Sequence, residues 1–186
     1  MRKSRAQIYD ELLVLKCQQG NKDAFAELVD RWQKRLWHYA LRVTCSEPAA
    51  WDILQETWLG IIKGIGKLED VAVFPKWAFR IASNKSTDWL RRQNLQSKLE
   101  SKLSEKTQNE SGMAQDIDEK TNSLREAVAK LSSEQRALIA LRYHEGFEIG
   151  QIAEILRIPE GTVKSRIHRA IDKLRQMVEH NQNVRF

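Results

Sequence analysis

The feature that most constrains this chain is the run EIGQIAEILRIPEGTVKSRIHRAIDKLR near its end. Apolar Ile149, Ile152, Ala153, Leu156 and Ile158 recur three or four apart, and Val163, Ile167, Ala170, Ile171 and Leu174 then do the same. That is the period of two short helices, each with one core face. The residues between them allow only a tight turn, so the pair reads as a helix-turn-helix. In this motif the first helix braces the second, and the second lays its N-terminal residues against base edges in the DNA major groove. At about 100° per residue, the outer face of the second helix carries Thr162, Ser165, Arg169 and Gln176, flanked by Lys164, Arg166 and His168. Such groups read bases and grip phosphates.

Charge supports that assignment. From Gly161 to Gln176 five basic residues face one acid, Asp172, whereas the stretch from Glu145 to Glu160 sets four glutamates against Arg157. Merely solvated helices mix their signs more evenly. The 186-residue chain is 41% hydrophobic and 30% charged with a net charge of +6, which predicts a soluble folded protein of one domain or two small ones with a polyanionic partner. Nucleic acid fits better than a bilayer, because no apolar run approaches the roughly 20 residues that a span requires. The basic N-terminus, MRKSRAQIYDELLVLKC, lacks a signal peptide's apolar stretch and cleavage site, so no membrane insertion and a cytoplasmic location are expected. Cys17 and Cys45 have no CxxC or His-rich context, and no GxxxxGK[ST] loop is present; neither a metal nor another cofactor is expected.

Strand signals are weak, and helical periodicity dominates from Asp23 to Gln93 and from Leu124 to Glu179. The expected fold class is therefore all-α, with two small helical domains, residues 1–94 and 123–186, joined by a flexible linker at 95–122. The linker is polar and free of aromatics, and all six tryptophans precede it. About 28 such residues span roughly 30 Å, which would let two modules reach separated targets. Leu95, Leu99 and Leu103 stand four apart and leave room for a local helix there.

The first block contains three readable helices. Residues 23–43 bury Phe25, Leu28, Val29, Trp32, Leu36, Tyr39, Ala40 and Val43 and leave Asp30, Lys34, Arg35 and Arg42 outside, a structural pattern. A second helix starts near Ser46 and Pro48 and ends around Gly64 and Gly66, with Ile53, Leu54, Thr57, Trp58, Ile61 and Ile65 inward. Its other side groups Asp52, Gln55, Glu56 and Lys63 around Leu59, with Trp51 at the edge. An apolar centre ringed by acids and an amide is the anatomy of a docking surface for a basic partner helix.

A third helix starts at Pro75. It turns Ala78, Phe79, Ile81, Ala82, Trp89 and Leu90 inward, and Lys76, Arg80, Asn84, Thr87 and Arg91 outward beside Ser83 and Trp77. From Lys76 to Lys98 six basic residues face the single acid Asp88. A cationic stripe bearing an amide, hydroxyls and an aromatic can hold a backbone and stack or hydrogen-bond exposed bases. The preceding KLEDVAVFP reads as a loop that walls a pocket for one unstacked base.

The order of these parts resembles the extracytoplasmic-function (ECF) group of bacterial RNA polymerase sigma factors over roughly residues 20–180. DILQETWL, RIASNKSTDWLRR and GTVKSRIHRA carry the resemblance most specifically. It implies two helical domains, sigma regions 2 and 4, that direct core polymerase to promoters without being catalysts. By that resemblance Asp52, Gln55, Glu56 and Leu59 grip the coiled coil of the largest polymerase subunit. The loop from Lys67 to Pro75 and the stripe Lys76, Arg80, Asn84, Thr87 and Arg91 read and open the minus-ten element, with Asn84 near a flipped-out base. Lys164, Ser165, His168 and Arg169, with Thr162, read the minus-thirty-five element, and Arg166 grips a phosphate. Melting then draws on binding energy for the unstacked strand, at a few kcal/mol per extruded base. An anti-sigma protein is an expected further partner.

Two positions depart from the family pattern. Arg157 stands where the turn usually has glycine, which costs roughly 1 kcal/mol if the residue is left-handed. Glu148 replaces the usual Ser or Thr cap and Gly150 lies in the first turn, so that helix is expected to fray or start late. The competing readings are a stand-alone helix-turn-helix regulator with a sensory or dimerisation domain and, more remotely, an enzyme using Asp52 and Glu56 as paired acids. For the latter the sequence places no basic or nucleophilic partner nearby.

Overall fold

The computed structural model describes residues 4–100 and 126–183, with side chains described over 4–97 and 126–179. The first module consists of α1 (Arg5–Gln18), α2 (Lys22–Thr44), α3 (Glu47–Gly64), two 3-10 turns at Ile65–Lys67 and Val71–Val73, and α4 (Phe74–Glu100). In the second, helical residues 126–129 precede α5 (Ser133–Ile139), which widens into a π turn at Ala140–His144 and leads to α6 (Ile149–Leu156) and α7 (Glu160–Asn183). No strand occurs among the described residues.

Local chemistry sets the helix starts. Asn21 Oδ1 accepts the Ala24 N–H at 2.9 Å and Ser46 Oγ the Ala49 N–H at 3.4 Å, each satisfying one donor that a first turn leaves open. Helix α1 lies outside the periodic stretch that begins at Asp23. It opens with a capping box, in which the Gln7 N–H donates to Ser4 Oγ at 3.2 Å and the Ser4 N–H to Gln7 Oε1 at 2.8 Å. Apolar residues surround it, so no single stripe marks it: Leu13 and Val14 are buried while Ile8, Leu12 and Leu15 stay exposed.

Helix α2 runs through the first core. Trp32, Leu36, Tyr39 and Val43 are buried along it. Trp32 meets Phe74 edge-on at 5.2 Å, and Tyr39 meets Phe79 at 5.4 Å. The Tyr39 hydroxyl shares a 2.7 Å hydrogen bond with Ser83 Oγ, and burial drives the phenol well above its usual range. Ser83 therefore belongs to the inner face of α4, contrary to its expected place beside the outward stripe. A buried tyrosine hydroxyl needs a partner, and this position supplies one.

The two modules pack directly against each other. Phe79 of the first and Phe147 of the second stand edge-on at 5.3 Å, inside one apolar cluster that also contains Tyr39, Val43, Leu138, Leu141, Ile152 and Val163. Gly146 makes this possible: at φ +75° it reverses the chain after the π turn and turns Phe147 inward. The Arg136 guanidinium donates to the Val43 carbonyl at 2.6 and 3.0 Å, filling an acceptor left open where α2 ends, and to the Leu131 carbonyl of its own module at 2.7 Å. A module this small buries little of its own surface, and the first module covers the apolar side it presents. The connector's length would let the modules part, and here they are in contact. Helix α4 also continues through Leu95 to Glu100, past the expected boundary at residue 94; residues 101–122 of the expected linker and 123–125 of the second domain lie outside the described residues.

Candidate nucleic-acid interface

The helix-turn-helix forms where its period predicts. Ile152 and Ile155 of α6 and Val163, Ile167 and Ala170 of α7 are buried, while Ile149, Ala153, Leu156, Ile158, Ile171 and Leu174 are half-buried. Arg157 adopts the left-handed conformation, φ 56° and ψ 46°. Its side chain is exposed, so Arg157→Gly removes strain without removing packing. The variant should be more stable by about 1 kcal/mol in urea unfolding; an unchanged or lower midpoint would mean that the turn carries no such strain. Helix α6 does not start late, although the Glu148 carboxylate turns to Arg142 at 3.0 Å and supplies no side-chain cap. It begins at Ile149, directly after Glu148, and Gln151 Oε1 accepts the Glu148 N–H at 2.9 Å. A Cβ at Gly150 would stand 3.1 Å from Glu160 Oε1, the end of an exposed side chain in the first turn of α7.

Helix α7 presents Lys164, Ser165, His168 and Arg169 to solvent, with Thr162 half-buried beside them. Lys164 and Arg169 form no hydrogen bond or ion pair among the described residues. His168 Nδ1 lies 2.6 Å from Asp172 Oδ2, which orients the ring along the helix. Arg166 differs from its neighbours: it is half-buried and donates to Glu134 at 2.8 Å. That contact pins it between α7 and α5 and leaves it less free to reach a phosphate.

The α4 stripe is one surface, but much of it faces the second module. Lys76 donates to Glu154 of α6 at 2.6 Å. Arg80 is half-buried, and its Nε has no partner among the described residues. Asn84 is exposed. Thr87 and Arg91 line a cavity of about 510 Å³ whose far wall includes Ser133, Glu134 and Arg166. Trp77 lies over Gly64, where a Cβ would come within 2.7 Å of its ring, so the indole packs against α3 instead of standing free for a base. The expected loop from Lys67 to Pro75 contains the 3-10 turn at Val71–Val73, follows the one at Ile65–Lys67, and is anchored at its start: the Gln18 amide donates to the Ile65 and Leu68 carbonyls at 3.0 and 2.7 Å.

On α3, Asp52, Gln55, Glu56 and Leu59 are all exposed, and Leu59 is 44% accessible at their centre. Glu56 is held by Lys85 of α4 at 2.8 Å, and this ammonium keeps its carboxyl below the usual range. Sequence reasoning missed Ile62, which is 54% exposed one turn beyond Leu59. With Trp51, also 54% exposed, it extends the apolar line along the helix. The signal was present in the spacing, because positions 51, 55, 59 and 62 are separated by three or four residues and so share one side.

Residues 28–96 match the family model for Sigma-70 region 2 and residues 121–174 that for Sigma-70, region 4. The chain is 31% identical to the ECF RNA polymerase sigma-E factor of Haemophilus influenzae over 94% of its own length and 95% of the relative's. It is 35% identical to the ECF RNA polymerase sigma factor SigL of Mycobacterium tuberculosis, over 80% and 85%. The chain belongs to the ECF sigma factors. As such it binds core RNA polymerase and promoter DNA and directs transcription initiation. The same fold occurs in the sigma factor RpoE of Bartonella quintana, solved with the anti-sigma factor NepR (23% identity, 86% of this chain and 98% of that one, TM-score 0.71). It occurs again in CnrH, solved with the cytosolic domain of CnrY (24% identity, 92% and 98%, TM-score 0.66).

Proposed function

We propose that the sigma factor divides its work between two faces. The Asp52, Gln55, Glu56 and Leu59 face of α3 docks the coiled coil of the largest polymerase subunit, and Lys164, Ser165, His168 and Arg169, with Thr162, read the minus-thirty-five element. Lys164 and Arg169, exposed on the outer side of α7 and without a partner among the described residues, are the observation that carries this reading. Such side chains can move onto base edges and phosphates without breaking an existing bond. Lys76, Arg80, Asn84, Thr87 and Arg91 serve the minus-ten element. Lys76 must first be freed from Glu154 of the second module, whereas Thr87 and Arg91 are already exposed at the mouth of the cavity between the modules, so promoter engagement includes separation of the two modules at Lys76. Arg166 exchanges Glu134 for a phosphate in the same step.

The functional units are residues 1–94 and 123–186, with α4 extending into the connector. The protein acts in the cytoplasm, where core polymerase works, and no described helix is long and apolar enough to cross a membrane. It is no catalyst itself: Glu56, one of the two closely spaced acids, is occupied by Lys85. An anti-sigma protein is a further partner, as NepR is for RpoE. The test is Arg169→Ala in holoenzyme bound to a library of upstream promoter sequences. The change should cost about 1 to 3 kcal/mol at one base pair and relax the preference there. Equal weakening on every sequence would make Arg169 a phosphate clamp and remove it from base readout.

A further inference from the structure

Between the outer side of α2 and the turn after α5 lies a second cavity, of about 380 Å³, which the faces above do not use. Helix α2 lines it with Asp30, Arg31, Lys34, Arg35, His38 and Arg42, and the second module contributes His144 and Glu145. Half of its fixed charges are already matched. The Glu145 side chain, only 5% exposed, accepts from Arg35 at 3.0 Å, and Arg31 is drawn to Asp10 at 2.7 Å. Asp30 takes only a long 3.4 Å bond from Gln33. Lys34 and Arg42 form no ion pair among the described residues.

Arg42 is the informative member. It is half-buried, so its guanidinium has lost water, and it gains only the through-space attraction of Glu145 in return. A cation so placed costs free energy until an anion restores the lost solvation. His38 and His144 lie in the same cavity from opposite modules. Burial, then the charge of Arg42, holds both below the ordinary 6.5, with Lys34 and the His144 ring adding to the effect at His38. They are neutral near pH 7 and become charged donors when negative charge arrives.

We propose that this cavity between the modules binds a small phosphorylated anion of the diphosphate or triphosphate class, held by Lys34, His38 and Arg42 of α2 and His144 of the second module. Its volume is in the common range for small-molecule sites, about 300–1,000 Å³, and four donors lining one open cavity suit an anion with many oxygens. Because the ligand touches both modules, its binding favours their closed arrangement by mass action. The site stands on the closed geometry and does not depend on the polymerase or promoter assignments.

Titration calorimetry of the full chain with inorganic pyrophosphate and triphosphate tests this. One saturable site is expected, with proton uptake at pH 7 revealed by comparing two buffers. Arg42→Gln should weaken binding about tenfold or more, as loss of a charge-assisted contact does. His144→Gln should weaken it less and reduce the proton uptake, while Lys22→Gln, at the exposed start of α2, should change neither. Thermal melting of each variant separates loss of the site from loss of the fold. Absence of saturable binding would overturn the proposal, as would equal weakening by Arg42→Gln and Lys22→Gln. So would displacement of pyrophosphate by short duplex DNA at lower concentration, which would assign the cavity to a nucleic-acid backbone.

Discussion

Leu59→Asp abolishes association with core RNA polymerase while helix content and melting temperature stay near those of the parent chain. Leu59 is 44% exposed on α3, so it contributes little to the core, and a carboxylate there stays solvated. At a docking face the consequences are severe. The substitution removes the apolar centre of the patch and places a third negative charge among Asp52 and Glu56. Central apolar anchors are worth about 2 kcal/mol or more, roughly 30-fold in affinity. Like-charge crowding at the rim slows encounter as well. Fluorescence anisotropy of labelled sigma factor titrated with core enzyme measures the loss. Unchanged association of a folded Leu59→Asp variant would remove α3 as the docking element.

Glu145→Lys opens the two modules. The Glu145 carboxylate is almost wholly buried; its Oε2 accepts the Arg35 Nε–H at 3.0 Å and lies 3.0 Å from an end nitrogen of the same guanidinium. Arg35 in turn stacks over Trp32 at 4.4 Å and lies 5.8 Å from Phe79, so the pair joins the module boundary to the aromatic core. Reversing the charge leaves that guanidinium without its partner and sets an ammonium among Arg35, Arg42 and Lys34. Because Arg35 is 44% exposed the pair is only partly buried, and reversing its charge costs about 1.4 kcal/mol or more, which shifts the closed-to-open ratio about tenfold or more. Small-angle scattering should report a larger radius of gyration, while circular dichroism still reports helices in both modules. A variant as compact as the parent would show that Phe79, Phe147 and Arg136 hold the modules without this pair.

Much of the architecture is legible in the sequence, because amphipathic helices write their core face into local spacing. Helix α2, helix α3 and the helix-turn-helix follow from that period, and their buried residues largely match it. Helix α1 does not follow, because its apolar residues lie on all sides and cancel any stripe. The π turn is equally silent: the Glu145 N–H reaches back to the Ala140 carbonyl at 3.1 Å, a local widening that no spacing rule announces. Ser83 escapes the pattern because a small hydroxyl in a polar run reads as surface until Tyr39 is known to need it. The largest gap concerns the modules. A polar connector indicates how far they can part, and nothing local indicates that Phe147 meets Phe79. The candidate residues on α7 and α3 are legible as exposed faces, whereas the partners of Lys76, Arg166 and Glu56 depend on packing between elements distant in sequence.

The central claim is that this chain brings core polymerase to a promoter through two DNA-contacting modules. Run-off transcription with purified core enzyme, the full-length sigma factor and a library of promoter templates tests it most directly. The account predicts initiation from a subset of templates that share two sequence elements, and loss of that initiation with Leu59→Asp. Transcripts no more frequent than with core enzyme alone, on every template, would contradict it.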